Sequence, residues 1–297
     1  MSSPASVFQG VWIPLVTPFS DGAVDGAALR RLVRHVRAAG VDGLVVCGST
    51  GEAASLDDAE QLAVVDAVLG EAGGLPVAMG LAGNHQGHAL RRLAAFGTRP
   101  LAGILAPAPY YVRPGQQGAS AYFRTLADAS PFPLILYDIP YRTGAELETG
   151  TLLALAEHPN IAAIKDCGGS LDKSAALIAD GRLRVLAGED LLALPLLCLG
   201  ARGMIAAAAH IRPDLFVALD RAVRAQQLDR ARALFHALAP VIRLAFAEPS
   251  PGPVKALLAH QGLMRAELRA PMPAASAALA ARIVAAAAGL DRRFPAG

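Results

Sequence analysis

The chain has 297 residues, 54% of them hydrophobic and 18% charged, with a net charge of +2. That apolar content excludes a disordered chain. The 27 basic residues, dispersed among 25 acids, form no stripe of the kind that nucleic acid requires. No uncharged apolar run approaches the roughly 18 residues of a membrane-spanning helix. Residues Met1 to Gln9 lack the charged and apolar regions of a signal peptide. Cys47, Cys167 and Cys198 are odd in number and widely spaced, matching neither a disulfide framework nor a metal pattern. They read as buried free thiols in a reducing compartment, and a cytoplasmic protein is expected.

In chain order, short apolar runs alternate with segments of helical period. Val11–Val16 precedes Ala27–Ala39, where Leu29, Leu32, Val33 and Val36 share one face while Arg30, Arg31, Arg34 and Arg37 lie largely off it. Gly43–Cys47 is followed by Asp57–Leu69, Pro76–Met79 by His88–Phe96, and Gly103–Leu105 by Ala119–Ala129. Leu134–Tyr137 is followed by Thr151–Glu157 and Ile161–Lys165 by Ser174–Asp180, with Leu183–Ala187 and Gly203–Ala206 completing the strands. Strands that are apolar almost throughout belong to a parallel sheet covered on both faces. Eight such units, spaced by about 25–30 residues, predict an α/β fold of the (β/α)8 TIM-barrel type. The first strand ends in Thr17-Pro18-Phe19, not in the glycine-rich phosphate loop of an open doubly wound sheet. The barrel is expected over residues 1–225. Residues 226–297, helical in pattern over Leu228–Phe246, Pro253–His260 and Pro273–Ala288, are expected to form a C-terminal extension packed on it.

Barrel enzymes build their sites at the C-terminal ends of the strands. The sixth strand ends in Ile164-Lys165-Asp166, which puts an amine at the edge of an apolar space. Desolvation favours the neutral form of such an amine, and a neutral amine adds to a carbonyl to form an imine. A strand-end lysine paired with a carboxylate such as Asp166 accounts for the same residues. Lys173, at a polar helix start, and Lys255 are weaker candidates. Tyr137 ends the fifth strand, where its phenol can face the same mouth and relay protons. Arg142, on the loop that follows, suits a carboxylate. The turn Gly48-Ser49-Thr50-Gly51-Glu52 offers two hydroxyls and backbone N–H groups to an anion, or is simply a helix start. Tyr110 and Tyr111 supply either interface packing or a second phenol. His85 and His88 lack a third ligand, so no metal site is expected. His210 touches a substrate or satisfies a loop carbonyl.

Taken together and in order, these segments resemble the dihydrodipicolinate synthase and N-acetylneuraminate lyase family. The likeness is carried by Gly48-Ser49-Thr50-Gly51-Glu52, Pro109-Tyr110-Tyr111, Tyr137-Asp138-Ile139-Pro140-Tyr141-Arg142-Thr143-Gly144, Ile164-Lys165-Asp166 and Glu248-Pro249-Ser250-Pro251-Gly252-Pro253-Val254-Lys255. It extends from the first strand to about Leu263. The resemblance implies that Lys165 forms the Schiff base, that Tyr137 stands over the imine, and that Ser49 and Thr50 hold the pyruvate carboxylate and join a proton relay. It implies that Tyr111 reaches into a neighbour's site across a dimer interface, and that Ile205 and Gly188 line the pocket. It also implies a homodimer or a homotetramer built as a dimer of dimers, with no cofactor beyond the covalent Schiff base.

Arg142-Thr143 and the Glu-Pro-x-Pro-x-Pro-Val-Lys stretch resemble the synthase branch. That branch implies condensation of pyruvate with L-aspartate semialdehyde to 4-hydroxy-tetrahydrodipicolinate, with Arg142 on the aldehyde's carboxylate. The chain departs from the branch at Ser49, where Thr is usual, and at Asp138, Val112 and His210, where Asn is common. Leu81-Ala82-Gly83 also departs from it. Ala53, Ala54, Asp58 and Gln61 replace the polar set of the lysine-inhibited members, while Asn84 matches, which leaves feedback inhibition open. Two other readings stand beside the synthase: a related pyruvate-dependent aldolase or dehydratase acting on a sugar acid or hydroxy-oxo acid, and a non-catalytic binding barrel.

Overall fold

The structure, a computed structural model, describes residues 7–295. Eight parallel strands close a barrel in sequential order: β1 (Gly10–Pro14), β2 (Gly43–Val46), β3 (Val77–Gly80), β4 (Gly103–Pro107), β5 (Leu134–Asp138), β6 (Ile161–Asp166), β7 (Arg184–Ala187) and β8 (Gly203–Ile205). β8 pairs with β1 through Gly10 and Gly203, which closes the ring. The predicted strands all form, with ends displaced by a residue or two.

Both faces of each strand are buried, against different partners. Along β1, Val11 and Ile13 pack outward against the helices, while Trp12 points inward with Val45, Ala78, Leu105, Ile135, Ala163, Leu186 and Ile205. This explains apolar runs without alternation. The inner space is filled from below: the Phe8 ring packs tilted against Trp12, with ring centres 5.6 Å apart. Gly43 is required there, because a Cβ would lie 2.4 Å from the Trp12 ring. The lower end is therefore plugged, and any site must open at the other.

The barrel helices are α1 (Gly26–Ala38), α2 (Asp58–Glu71), α3 (Gln86–Phe96), α4 (Gln116–Ala129), α5 (Thr149–Leu155), α6 (Leu171–Asp180), α7 (Ala193–Leu199) and α8 (Pro213–Arg224). Asp25 caps α1, and Asp57 with Glu60 forms a capping box on α2. On α1 the buried side chains include Leu29, Leu32, Val33 and Val36, as the period predicts. α8 was expected only as the end of the barrel near residue 225, and α7 was not predicted. Its sequence, ALPLLCL, is apolar all round and so carries no period to read. A two-stranded ribbon, Phe19–Ser20 with Ala23–Val24, is likewise too short to leave a pattern.

Beyond the barrel lie α9 (Leu228–Ala245), α10 (Gly252–His260) and α11 (Ala277–Arg293). α9 packs on α8 and α11, and α10 on α11. The last helix begins later than its apolar pattern suggested, because Ser276 caps it by accepting from the Leu279 amide. Among the described residues, no helix is long and apolar enough to cross a membrane.

Candidate active site

Parallel pairing of β5 with β6 sets Tyr137 directly beside Lys165. The Lys165 ammonium nitrogen lies 3.4 Å from the Tyr137 hydroxyl and 4.5 Å from the centre of its ring. Both side chains are buried. Asp166 does not pair with this lysine. Its carboxylate accepts from the Ser174 hydroxyl at 2.5 Å and from the Gly168 amide at 3.0 Å. The paired-carboxylate reading of Lys165 thus loses its partner, and the amine is left to face the phenol. Burial raises the Tyr137 phenol well above its usual pKa, with Cys167 adding to the effect while Ser49 and Arg142 oppose it. A phenol held protonated can donate to an oxygen or nitrogen at the site.

Gly188, just past β7, admits the lysine. A Cβ there would stand 2.3 Å from Cys167 Sγ and 2.9 Å from Lys165 Cγ. Ile205 lies in the inner core at the end of β8. Burial raises the Cys47 thiol to about 12 and raises Cys167 as well, so neither presents a thiolate.

The second strand runs into the turn through two non-glycine residues at positive φ, Cys47 and Glu52. The amides of Gly51, Glu52 and Ala53 bond back into the turn at Gly48 and Ser49. Those of Ser49 and Thr50 donate to no backbone acceptor among the described residues. Ser49 lines a cavity of about 380 Å³ at the mouth, together with Tyr137, Ile139 and Arg142. Thr50 is buried beneath the turn.

Arg142 sits on a one-turn helix, Pro140–Thr143, fixed by the Thr143 hydroxyl donating to Ile139 and Ala145 carbonyls. Its guanidinium makes no ion pair among the described residues and lies 5.8 Å from the Tyr141 ring centre. Tyr110 lines the same cavity, whereas Tyr111 is 87% exposed, held at positive φ, and turned away from it. The structure therefore brings Lys165, Tyr137, Ser49 and Arg142 to one mouth and leaves Tyr111 outside. The cavity continues past Ala53 and Ala54 to Asn84, His88 and Arg92. There Asp58 pairs with Arg92 at 3.1 Å and with His88 at 3.3 Å. His85 caps α3 by accepting from the His88 amide.

His210 is fully buried and does not line the cavity at the mouth. Its Nδ1 donates to the Ala207 carbonyl at 2.8 Å and its Nε2 accepts from the Val16 amide at 3.2 Å. Burial holds its pKa down at about 4, so it is neutral and satisfies loop groups. Sequence reasoning overlooked Asp190, two residues past Gly188. Burial pushes its carboxyl up to about 7, with the Ala208 amide and Lys165 pulling the other way. One oxygen accepts from the Ala208 amide at 2.7 Å and the other has no partner among the described residues. An acid just beyond a barrel strand was the available signal. Asp138, also at a strand end, does not face the cavity either: its carboxylate binds Lys173.

The model of the Dihydrodipicolinate synthetase family matches residues 7–287. The 4-hydroxy-tetrahydrodipicolinate synthase of Haloarcula marismortui is 39% identical over 272 residues, covering 89% of this chain and 88% of that one. The solved dihydrodipicolinate synthase of Aquifex aeolicus superposes with a TM-score of 0.91 at 31% identity, covering 97% of this chain and 98% of its own. A protein characterised as a monomeric dihydrodipicolinate synthase variant superposes with a TM-score of 0.92 at 27% identity, covering 96% and 99%. Agreement of sequence and backbone over almost the full length goes beyond a shared barrel: the chain belongs to the dihydrodipicolinate synthetase family.

Proposed function

We infer that this protein condenses pyruvate with L-aspartate semialdehyde to 4-hydroxy-tetrahydrodipicolinate, the activity named for its curated relatives. The observation that carries the reading is the buried Lys165–Tyr137 pair at the end of β5 and β6, beside a cavity lined by Arg142, which has no ion pair among the described residues. Lys165 adds to the C2 carbonyl of pyruvate, and loss of water gives the imine. Loss of a methyl proton gives the enamine, whose carbon attacks the aldehyde. Ring closure by the amine then releases Lys165. Tyr137, with its phenol held protonated, gives and takes protons at the imine nitrogen and the departing water. The free amides of Ser49 and Thr50, with the Ser49 hydroxyl, hold the pyruvate carboxylate. Arg142 takes the carboxylate of the aldehyde through paired hydrogen bonds. Ile205 and Gly188 shape the wall beside the imine.

Tyr111 is too exposed to serve its own site, which supports a role across an interface with a second copy, in a dimer or a tetramer of two dimers. The three free thiols, of which Cys198 is exposed rather than buried as expected, suit a cytoplasmic enzyme. A coupled assay with pyruvate and aspartate semialdehyde, read through a dihydrodipicolinate reductase, should show turnover that demands both substrates. Borohydride should trap pyruvate on Lys165, and Lys165→Ala should lose both trapping and turnover. A trapped adduct without turnover would turn the search to other aldehydes, and turnover by Lys165→Ala would show the site to be misassigned.

A further inference from the structure

The side chain of Lys173, in the first turn of α6, is buried against the underside of the Arg142 loop. Its ammonium donates to Asp138 Oδ2 at 2.8 Å, to Glu146 Oε1 at 3.2 Å and to the Leu147 carbonyl at 3.1 Å. All three protons of the ammonium are thus used. Asp138 ends β5 and is the residue after Tyr137; Glu146 and Leu147 lie where the loop returns to α5. Asp138 Oδ1 also accepts from the Leu147 amide at 3.2 Å. The two ends of the loop are joined through one cation, 35 residues away from Asp138 in sequence. The next residue of α6, Ser174, binds Asp166, the residue after Lys165. Consecutive residues of one helix turn therefore grip the positions that follow the two groups assigned to the chemistry.

The contact leaves no slack. A Cβ on Gly168 would lie 2.7 Å from Asp138 Oδ2 and 2.8 Å from Lys173 Nζ. Between the joined ends stands the turn that carries Arg142. Its other side is held by the Tyr111 amide, which donates to the Thr143 carbonyl at 3.2 Å, and by two side chains, Arg113 donating to the Gly144 carbonyl at 2.9 Å and Gln116 to the Glu146 carbonyl at 2.8 Å. The Thr143 hydroxyl keeps the turn's own shape, and the buried charge at its base, which joins Asp138 to Glu146 and Leu147, sets the direction in which that turn presents the guanidinium.

We propose that Lys173, through Asp138, is a positioning residue that sets the reach of Arg142 and so governs recognition of the second substrate's carboxylate. The proposal rests on the reading of Arg142 given above. Lys173 touches no substrate. Its loss lets the loop drift while the Lys165–Tyr137 pair, anchored in the strands, still forms the pyruvate imine.

Steady-state kinetics of Lys173→Met and of Asp138→Asn/Lys173→Met test this. The double variant removes both charges, so no carboxylate is left buried and unpaired should the single variant fail to fold. The KM for aspartate semialdehyde should rise at least about tenfold, with the KM for pyruvate and the rate of borohydride trapping within about twofold of wild type. Lys173→Arg should recover part of the loss. Amide exchange over residues 139–147 should quicken while β5 and α6 keep their protection, a readout independent of the aldehyde. Equal damage to both substrates, or an unchanged aldehyde KM, overturns the proposal. Arg142→Ala measured alongside tests the underlying reading separately: if its aldehyde KM is unchanged, the assignment of Arg142 fails, and unchanged exchange in the Lys173 variants then overturns the loop's dependence on Lys173 as well.

Discussion

Lys165 reaches its position through a gap kept open by the absence of a side chain at Gly188. The neighbouring Cys167 Sγ and Lys165 Cγ lie at 2.3 and 2.9 Å from where a Cβ would stand. Neither can retreat far, because both are buried among strand residues. Gly188→Ala should therefore push the lysine stem off its line, at an overpacking cost of about 1–3 kcal/mol. Imine formation with pyruvate should slow by about 10–100-fold, measured as the rate of borohydride trapping. Trapping at the wild-type rate would show that the stem has room to shift. Arg142 sets a contrasting case: exposed and without an ion pair among the described residues, it should be removable as Arg142→Ala with little change in thermal stability, the loss falling on the aldehyde KM.

The extension is bound to the barrel at the end of the Ser49 turn. Lys255 on α10 is fully buried and pairs with Glu52, which closes that turn at φ +53°. The same ammonium donates to the Glu267 carbonyl at 2.9 Å and lies 4.3 Å from the Phe19 ring centre. Arg269 flanks that ring at 4.6 Å, binds Glu60, and donates its amide to Glu52 at 3.2 Å. Burial lowers the pKa of Lys255, while Glu52 and Glu267 pull it back up. Breaking such a pair leaves a buried carboxylate uncompensated, so Lys255→Met should destabilise the protein by about 3–5 kcal/mol. Glu52→Gln/Lys255→Met should cost distinctly less. Urea unfolding of the two variants compares them directly. Equal losses would mean that the charge pair is incidental and only packing was removed.

Across the whole molecule, two buried groups on adjoining segments respond to pH in opposite senses. His210 has a folded pKa of about 4, below its unfolded value of 6.5, so stability present above 6.5 is lost as pH falls toward 4. Asp190 has a folded pKa of about 7, above its unfolded 3.8, so stability present below 3.8 is lost as pH rises toward 7. Between pH 4.5 and 6.5 the two slopes, each at most about 1.4 kcal/mol per pH unit, offset one another. Relative to wild type, His210→Asn should gain stability as pH falls through this window, and Asp190→Asn should gain as it rises. Urea unfolding at several pH values would show parallel curves if either group titrates normally. Assembly is tested at the same scale: if Tyr111 completes a neighbour's site, specific activity should fall on dilution as dimers separate, and full activity in a monomer would remove that role.

The barrel was legible because its determinants are local. Strand after strand reads as an unbroken apolar run, and a lysine, a tyrosine and an arginine follow such runs at the ends where barrel sites form. The helix α7 escaped notice because a segment apolar all round has no period. In sequence, Lys173 reads as a weaker candidate amine at a polar helix start, Asp138 as a departure from the family's usual Asn, and His210 as a group that touches a substrate or satisfies a loop carbonyl. Only closure of the barrel decided among these, by bringing Lys173 to Asp138 and Val16 to His210. Sequence alone determined which residues are apolar, at what period, and therefore which elements form and in what order. The tertiary structure decided which polar groups face one another, because a buried charge or hydrogen-bonding group must find its partner in space, and that partner lies tens or hundreds of residues away along the chain.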